Sequence, residues 1–291
     1  MKKVALIGAN GQLGTDIHKV FSSGNFFKII PLTTKEIDIT DLNLTKKVFS
    51  KINPDIVVNT AAFVRVDEAE DHQEEVFKIN TFAQKNLAEL CQEKNRTLVY
   101  ISTDYVFGED KKRKTSYKET DSPGPINVYG LSKLAGEYAT KFICSKYFIV
   151  RVCGLFGAAG SLGKGGNIVE TLIKAGKEKD VVKVVDDQIL TPTYTKDIAE
   201  NLKELLKTEN YGLYHITSEG QCSWWEFASE IFRLLKMNVK CQPVTSDVFK
   251  TRAKRPAYSV LENYNLKKLG LNKMRNWKKN LKLYLQEKGY L

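Results

Sequence analysis

The sequence contains no apolar run near the ~20 residues that a membrane-spanning helix requires, so membrane insertion is not expected. Lys2-Lys3 followed by Val4–Ile7 imitates the start of a signal peptide. That apolar stretch is about five residues, short of the ~7–15 of a secretory core, and Gly8-Ala9-Asn10-Gly11 ends it. Five cysteines (Cys91, Cys144, Cys153, Cys222, Cys241) form no CxxC pair, and an odd, scattered set is no disulfide framework. Reduced thiols in a cytoplasm are therefore expected. Internal repeats and low-complexity segments are also missing. Acidic residues become scarce toward the end: from Lys240 onward there are 13 Lys/Arg against three acids. A nucleic-acid footprint would look like this. However, these cations are interleaved with Leu266, Leu269, Leu271, Trp277, Leu281 and Leu285 at roughly helical spacing, which suits solvated helix faces. No nucleic-acid partner is expected.

What the 291 residues do contain is a regular alternation. Short buried-type strands over 3–8, 26–32, 55–59, 97–101 and 147–152 alternate with helical patterns over 13–21, 42–52, 75–94 and 127–144. Val/Ile-rich runs without polar alternation suit strands covered on both faces of a parallel sheet. The expected fold is α/β, a doubly wound parallel sheet of Rossmann type with a smaller C-terminal substrate-binding region. Residues 1–152 form the expected dinucleotide-binding domain and 153–291 the substrate region, with segments over about 181–216 returning to the first sheet. Irregular chain is expected from the helix at 224–235 to Ala257, then two basic helices.

Gly8-Ala9-Asn10-Gly11-Gln12-Leu13-Gly14 follows the first strand and opens the first helix. Glycine there lets a pyrophosphate approach the backbone at the helix's positive end, assigning Gly8, Asn10, Gly11, Gln12 and Leu13 to a cofactor site. A second copy of the pattern, Gly154–Gly160, leads into Ser-Leu-Gly-Lys-Gly-Gly and not a helix. Its Gly163-Lys164-Gly165 lacks the Ser/Thr of a Walker motif. The tip of the second strand reads Leu32-Thr33-Thr34-Lys35, with no acid to bind a ribose 2′-hydroxyl. Thr33, Thr34 and Lys35 therefore favour NADPH, with NADH as the alternative. Tyr129 and Lys133 stand one helical turn apart, an arrangement in which an ammonium can lower a phenol's pKa. The same spacing recurs at Tyr264/Lys268 and Tyr284/Lys288, so only context selects Tyr129: it lies on the helix after the strand ending Ser102-Thr103.

These features in this order, with Asn59-Thr60-Ala61-Ala62 and Ser102-Thr103-Asp104-Tyr105-Val106-Phe107, resemble the extended short-chain dehydrogenase/reductases. Within them, Gly11-Gln12-Leu13-Gly14, Val66-Asp67-Glu68-Ala69-Glu70, Asp187-Gln188, Thr191-Pro192-Thr193, Cys222-Ser223-Trp224 and Arg255-Pro256 with Ser259 are similar to the dTDP-4-dehydrorhamnose reductase family. The resemblance implies reduction of the C4 ketone of a nucleotide-linked 6-deoxy-hexulose, giving dTDP-L-rhamnose for cell-surface polysaccharide. It implies Tyr129 as general acid, Lys133 as its pKa partner and ribose ligand, and Thr103 as the hydroxyl orienting the carbonyl. Asp38 and Ile39 would meet the adenine, and Ala61 and Ala62 would line the cofactor groove. Val66, Asp104 and Tyr105 would approach the sugar, while Asn167 and Arg255 would hold the nucleotide and its diphosphate.

The chain departs from the family where it reads Arg151-Val152-Cys153-Gly154, losing a pocket indole, and in its longer, glycine-rich loop 157–166. Both changes bear on the sugar, not on the reaction. Some relatives hold a metal between subunits through acids near the first helix and the C-terminus. The basic C-terminus here predicts none. A homodimer is compatible with the resemblance. A non-catalytic regulatory subunit, like the β subunit of methionine adenosyltransferase, is the competing reading, and retention of Thr103, Tyr129 and Lys133 favours the enzyme.

Overall fold

The structure is a computed structural model describing residues 1–160 and 166–291; Gly163, Lys164 and Gly165 of the second glycine loop lie outside them. Strands β1 (Lys2–Ile7), β2 (Phe27–Leu32), β3 (Ile56–Asn59), β4 (Thr97–Thr103) and β5 (Tyr147–Val152) follow the alternation of the sequence. Short strands β6 (Leu155–Phe156), β7 (Val181–Val185), β8 (Ile189–Leu190) and β9 (Thr193–Tyr194) come next, then β10 (Gly212–His215), β11 (Cys222–Ser223) and β12 (Lys240–Val244). The helices are α1 (Gln12–Ser22), α2 (Leu42–Ile52), α3 (Val66–Ala69), α4 (Gln73–Phe77), α5 (Ala83–Glu93) and α6 (Val128–Ile143). After them come α7 (Ile168–Glu178), α8 (Thr195–Leu205), α9 (Trp224–Leu234), α10 (Tyr264–Lys268) and α11 (Trp277–Glu287).

Six strands pair in parallel in the order β2-β1-β3-β4-β5-β10. The chain leaves β1 for the edge at β2 and returns on the other side to β3, so a crevice opens beyond the carboxyl end of β1. Strand residues alternate between two cores, as the pleat dictates. Val4, Leu6, Val58 and Val99 pack against Ile17 and Phe21 of α1 and Ile198 and Leu202 of α8. Ala5, Ile7, Val57 and Leu98 face the opposite side, against Phe49 of α2 and Leu87 and Leu90 of α5.

A third core lies beside the sheet, where Phe156, Leu172, Ile173, Val184, Phe227 and Ile231 enclose Trp277, Leu281, Tyr284 and Leu285 of α11. Burying those four apolar side chains leaves Lys278, Lys279 and Lys282 exposed on the other face of α11. Among the described residues no helix is long and apolar enough to cross a membrane.

Two expectations need correction. Within 181–216, α8 and β10 join the sheet domain, but β7 does not: it pairs with β12 in a separate ribbon. The reason is burial on one face only, since Val182 and Val184 are covered while Val181 and Lys183 are exposed. β12 itself lies in the stretch expected to be irregular, where Pro243 in a two-stranded ribbon hides the strand pattern. In addition, the helical pattern over 75–94 is interrupted by a π turn at Lys78–Phe82. There the Tyr100 hydroxyl donates to the carbonyl of Asn80 at 2.9 Å. The Asn80 side chain holds both backbone groups of Phe63 and donates to Ser132 Oγ. A helical irregularity thus ties the loop after β3 to α6, a placement common at functional sites.

Candidate active site

A cleft of about 690 Å³ runs along the carboxyl ends of β1, β3, β4 and β5. Its floor is the first glycine loop. Gly8 adopts φ +76°, and a Cβ there would lie 2.6 Å from Thr60 Oγ1. A Cβ on Gly14 would collide with the Gly8 carbonyl, so the loop can fold onto α1 only with glycine at both places. Gly11 caps α1 without any side-chain bond, leaving the first-turn N–H groups available to an anion. Asn10, Gly11, Gln12 and Leu13 line the cleft, and Gln12 Oε1 is buried without a hydrogen-bond partner. An uncapped helix N-terminus under a glycine cradle fits a dinucleotide's pyrophosphate. Ala61 and Ala62 form the adjoining wall, where Asn59 Oδ1 accepts the Ala61 N–H at 3.0 Å.

The tip of β2 is placed differently from this floor. Thr33, Thr34, Lys35, Asp38 and Ile39 do not line the cleft. Thr33 donates both its N–H and its hydroxyl to the Glu36 carboxylate, at 2.7 and 2.6 Å. These bonds hold the exposed Glu36 carboxyl below its ordinary pKa, an acidic group at the tip that the motif reading missed. Asp38 accepts from the Thr40 N–H and hydroxyl, and Ile39 is buried in the core.

The first turn of α6 is held by Asn127, whose Oδ1 accepts the Gly130 N–H at 2.7 Å and whose Nδ2 donates to the Lys254 carbonyl at 2.8 Å. A Cβ on Gly130 would strike the Tyr105 carbonyl, so glycine lets this turn press against the segment after β4. That contact brings Tyr129 beside Thr103. Burial pushes the Tyr129 phenol up to about 12, opposed by the Thr103 hydroxyl and reinforced by Asp104. Lys133 is buried, and its ammonium lies over the Tyr100 ring, 4.0 Å from the centroid. Burial pushes it down to about 7. The ammonium faces the Tyr100 ring, while burial, the Thr103 hydroxyl and Asp104 are the influences on the Tyr129 phenol.

Beyond Tyr129, Val66, Asp104, Tyr105, Asn167 and Arg255 all line the same cleft. The buried Asp104 carboxyl accepts from Ser259 Oγ at 2.6 Å and Cys153 Sγ at 3.1 Å, and burial raises its pKa. Tyr105 is raised by burial too. Asn167 spends its side chain on the fold, capping α7 through Oδ1 and donating to the Gly157 carbonyl and the Tyr284 hydroxyl. Arg255 grips Asp67 through both terminal nitrogens, at 2.6 and 3.2 Å, which holds the Asp67 carboxyl below its usual range. Gln188 and Trp224 also line the cleft, although the sequence marks them only as parts of motifs. Among the described residues no group of three or more His, Cys, Asp or Glu is placed to hold a metal ion.

The family model described as RmlD substrate binding domain matches residues 1–289. The spore coat polysaccharide biosynthesis protein SpsK of Bacillus subtilis is 36% identical, with 99% of each chain covered. The crystal structure of a dTDP-4-dehydrorhamnose reductase from Clostridium acetobutylicum superposes with TM-score 0.93 at 41% identity, covering 99% of both chains. That of the Bacillus anthracis dTDP-4-dehydrorhamnose reductase in complex with NADP gives 0.91 at 38%, covering 98% of this chain and 99% of that one. By the family model over nearly its whole length and by these relatives, the chain belongs to the dTDP-4-dehydrorhamnose reductase family.

Proposed function

We propose that this protein uses NADPH to reduce the C4 ketone of a nucleotide-linked 6-deoxy-hexulose. The substrate is dTDP-4-dehydro-L-rhamnose and the product dTDP-L-rhamnose, destined for cell-surface polysaccharide. The observation that carries the reading is a single cleft joining an uncapped helix N-terminus to the Tyr129–Thr103 pair, with Arg255 at its rim.

NADPH, when bound, supplies the hydride. Asn10, Gly11, Gln12 and Leu13 would hold its pyrophosphate, Ala61 and Ala62 its groove face, and Lys133 its nicotinamide ribose. The Tyr129 hydroxyl gives its proton to the C4 oxygen as that carbon gains hydride, so the ketone becomes a secondary alcohol and Tyr129 a phenolate. Burial keeps Tyr129 protonated until that moment. The Thr103 hydroxyl orients the carbonyl and then donates to the phenolate, which regains its proton from solvent. Val66, Asp104 and Tyr105 shape the sugar pocket, and the Arg255 guanidinium, held by Asp67, would bind the diphosphate.

Two finer readings go with this one. Five free thiols support a reducing setting such as the cytoplasm. Leu131, Tyr138 and Phe142, exposed along one side of α6, support a homodimer, which sedimentation would detect. The reaction is tested by NADPH oxidation with the keto-sugar supplied by a coupled dehydratase and epimerase. Turnover that requires all components is expected. No turnover, together with tight binding to another enzyme, would contradict the reading and favour a regulatory subunit.

A further inference from the structure

We propose that the buried Glu137–Arg151 pair is a positioning device for Lys133. Arg151 clamps the Glu137 carboxylate one helical turn from the lysine without an ion pair forming between the two. This rests on the reading of Lys133 as a cofactor ligand.

The geometry is specific. Lys133 and Glu137 stand at i and i+4 on α6, and both are buried. Arg151, on β5, donates from Nε to Glu137 Oε1 at 2.8 Å and from Nη2 to Oε2 at 2.6 Å. The Ser102 hydroxyl of β4 donates to the same Oε1. Each carboxylate oxygen is therefore engaged away from the lysine. Among the described residues no carboxylate oxygen lies within 4.0 Å of Lys133 Nζ.

Near that ammonium, β4 contributes the Tyr100 ring, whose hydroxyl is fixed by the Asn80 carbonyl of the π turn, and α6 contributes the Glu137 charge. Glu137 is the one charge that opposes the effect of burial on Lys133. Behind it, Arg151 Nη1 lies 3.5 Å from His215 Nε2, and burial together with Arg151 keeps that imidazole neutral. Beyond His215, burial raises the pKa of Glu119, an effect that Arg151 opposes. A direct Lys133–Glu137 bond would occupy a donor that a ribose needs. A fork-shaped guanidinium prevents that bond while leaving the field in place.

The test is the pH dependence of NADPH affinity and of kcat/KM, both of which fall as the pH rises and Lys133 loses its proton. Glu137→Gln removes the opposing charge, so this fall should move about one to two pH units lower, with binding restored on acidification. Glu137→Asp keeps the charge and should return the fall close to its wild-type position. Arg151→Lys keeps a cation but loses the fork, freeing Glu137 to close on Lys133. The fall should then move to higher pH, with weaker NADPH binding below it. If Glu137→Gln does not fold, the sign of the Arg151→Lys shift decides. A fall unmoved in Glu137→Gln, or moved as far in Glu137→Asp, or moved downward in Arg151→Lys, would overturn the proposal. Wild-type protein that fails to bind NADPH would instead defeat the reading on which it rests.

Discussion

The two sides of the cleft handle positive charge in opposite ways. On α6, Lys133 is 2% exposed and makes no ion pair among the described residues, its counter-charge held off by Arg151. At the rim, the Arg255 side chain is 22% exposed and already pairs in a fork with Asp67. On the proposed function, the difference separates the site of proton and hydride transfer from the site that holds the diphosphate. A group that must respond to a change of charge during the reaction is worth most in a dry, fixed setting, where interactions are screened least. A group that only holds an anion can sit nearer to water, oriented by an acidic partner.

The comparison breaks first, and by the largest margin, at Tyr129. Tyr129→Phe keeps the ring and removes the proton donor, so kcat should fall roughly 10²- to 10⁴-fold with NADPH affinity little changed. Near-normal kcat in that variant would mean that the buried side of the cleft is not where the proton comes from.

Arg255→Ala should act on the other quantity. A hydrogen bond to a charged group is worth about 1.5–3 kcal/mol, so KM should rise roughly 10- to 150-fold while kcat stays close to wild type. Arg252 pairs with Asp71 nearby and its side chain is 68% exposed, which makes Arg252→Ala the matched control. If both alanine variants raise KM equally, general attraction of an anion explains the rim better than a specific contact.

The smallest effect concerns the tip of β2. Thr33→Asp would place a second carboxylate beside Glu36 and repel a 2′-phosphate, shifting preference from NADPH toward NADH by roughly tenfold. Comparing kcat/KM for the two cofactors in both proteins measures it. A wild type that already prefers NADH would show that Thr33, Thr34 and Lys35 do not govern the choice.

Much of this was legible in the sequence wherever the signal was local. Buried strand runs, the glycine loop and the first turn of α6 are each set by neighbours within a few residues. The doubly wound sheet followed from their alternation. What stayed hidden depends on distant partners. Nothing near Asp67 announces that Arg255, 188 positions away, will close on it, and nothing near Glu137 announces Arg151. The π turn was hidden because Asn80 is recruited by Phe63 and Tyr100, not by its helix. β12 was hidden because its partner, β7, lies outside the main sheet.

The central claim is that the cleft delivers hydride to C4 of a nucleotide-linked keto-sugar while Tyr129 protonates the oxygen. The most direct measurement is product identification after reduction of dTDP-4-dehydro-L-rhamnose with NADPH deuterated at the transferable position. The account predicts dTDP-L-rhamnose carrying one deuterium, on C4. Unlabelled product, or label at any other carbon, would contradict it.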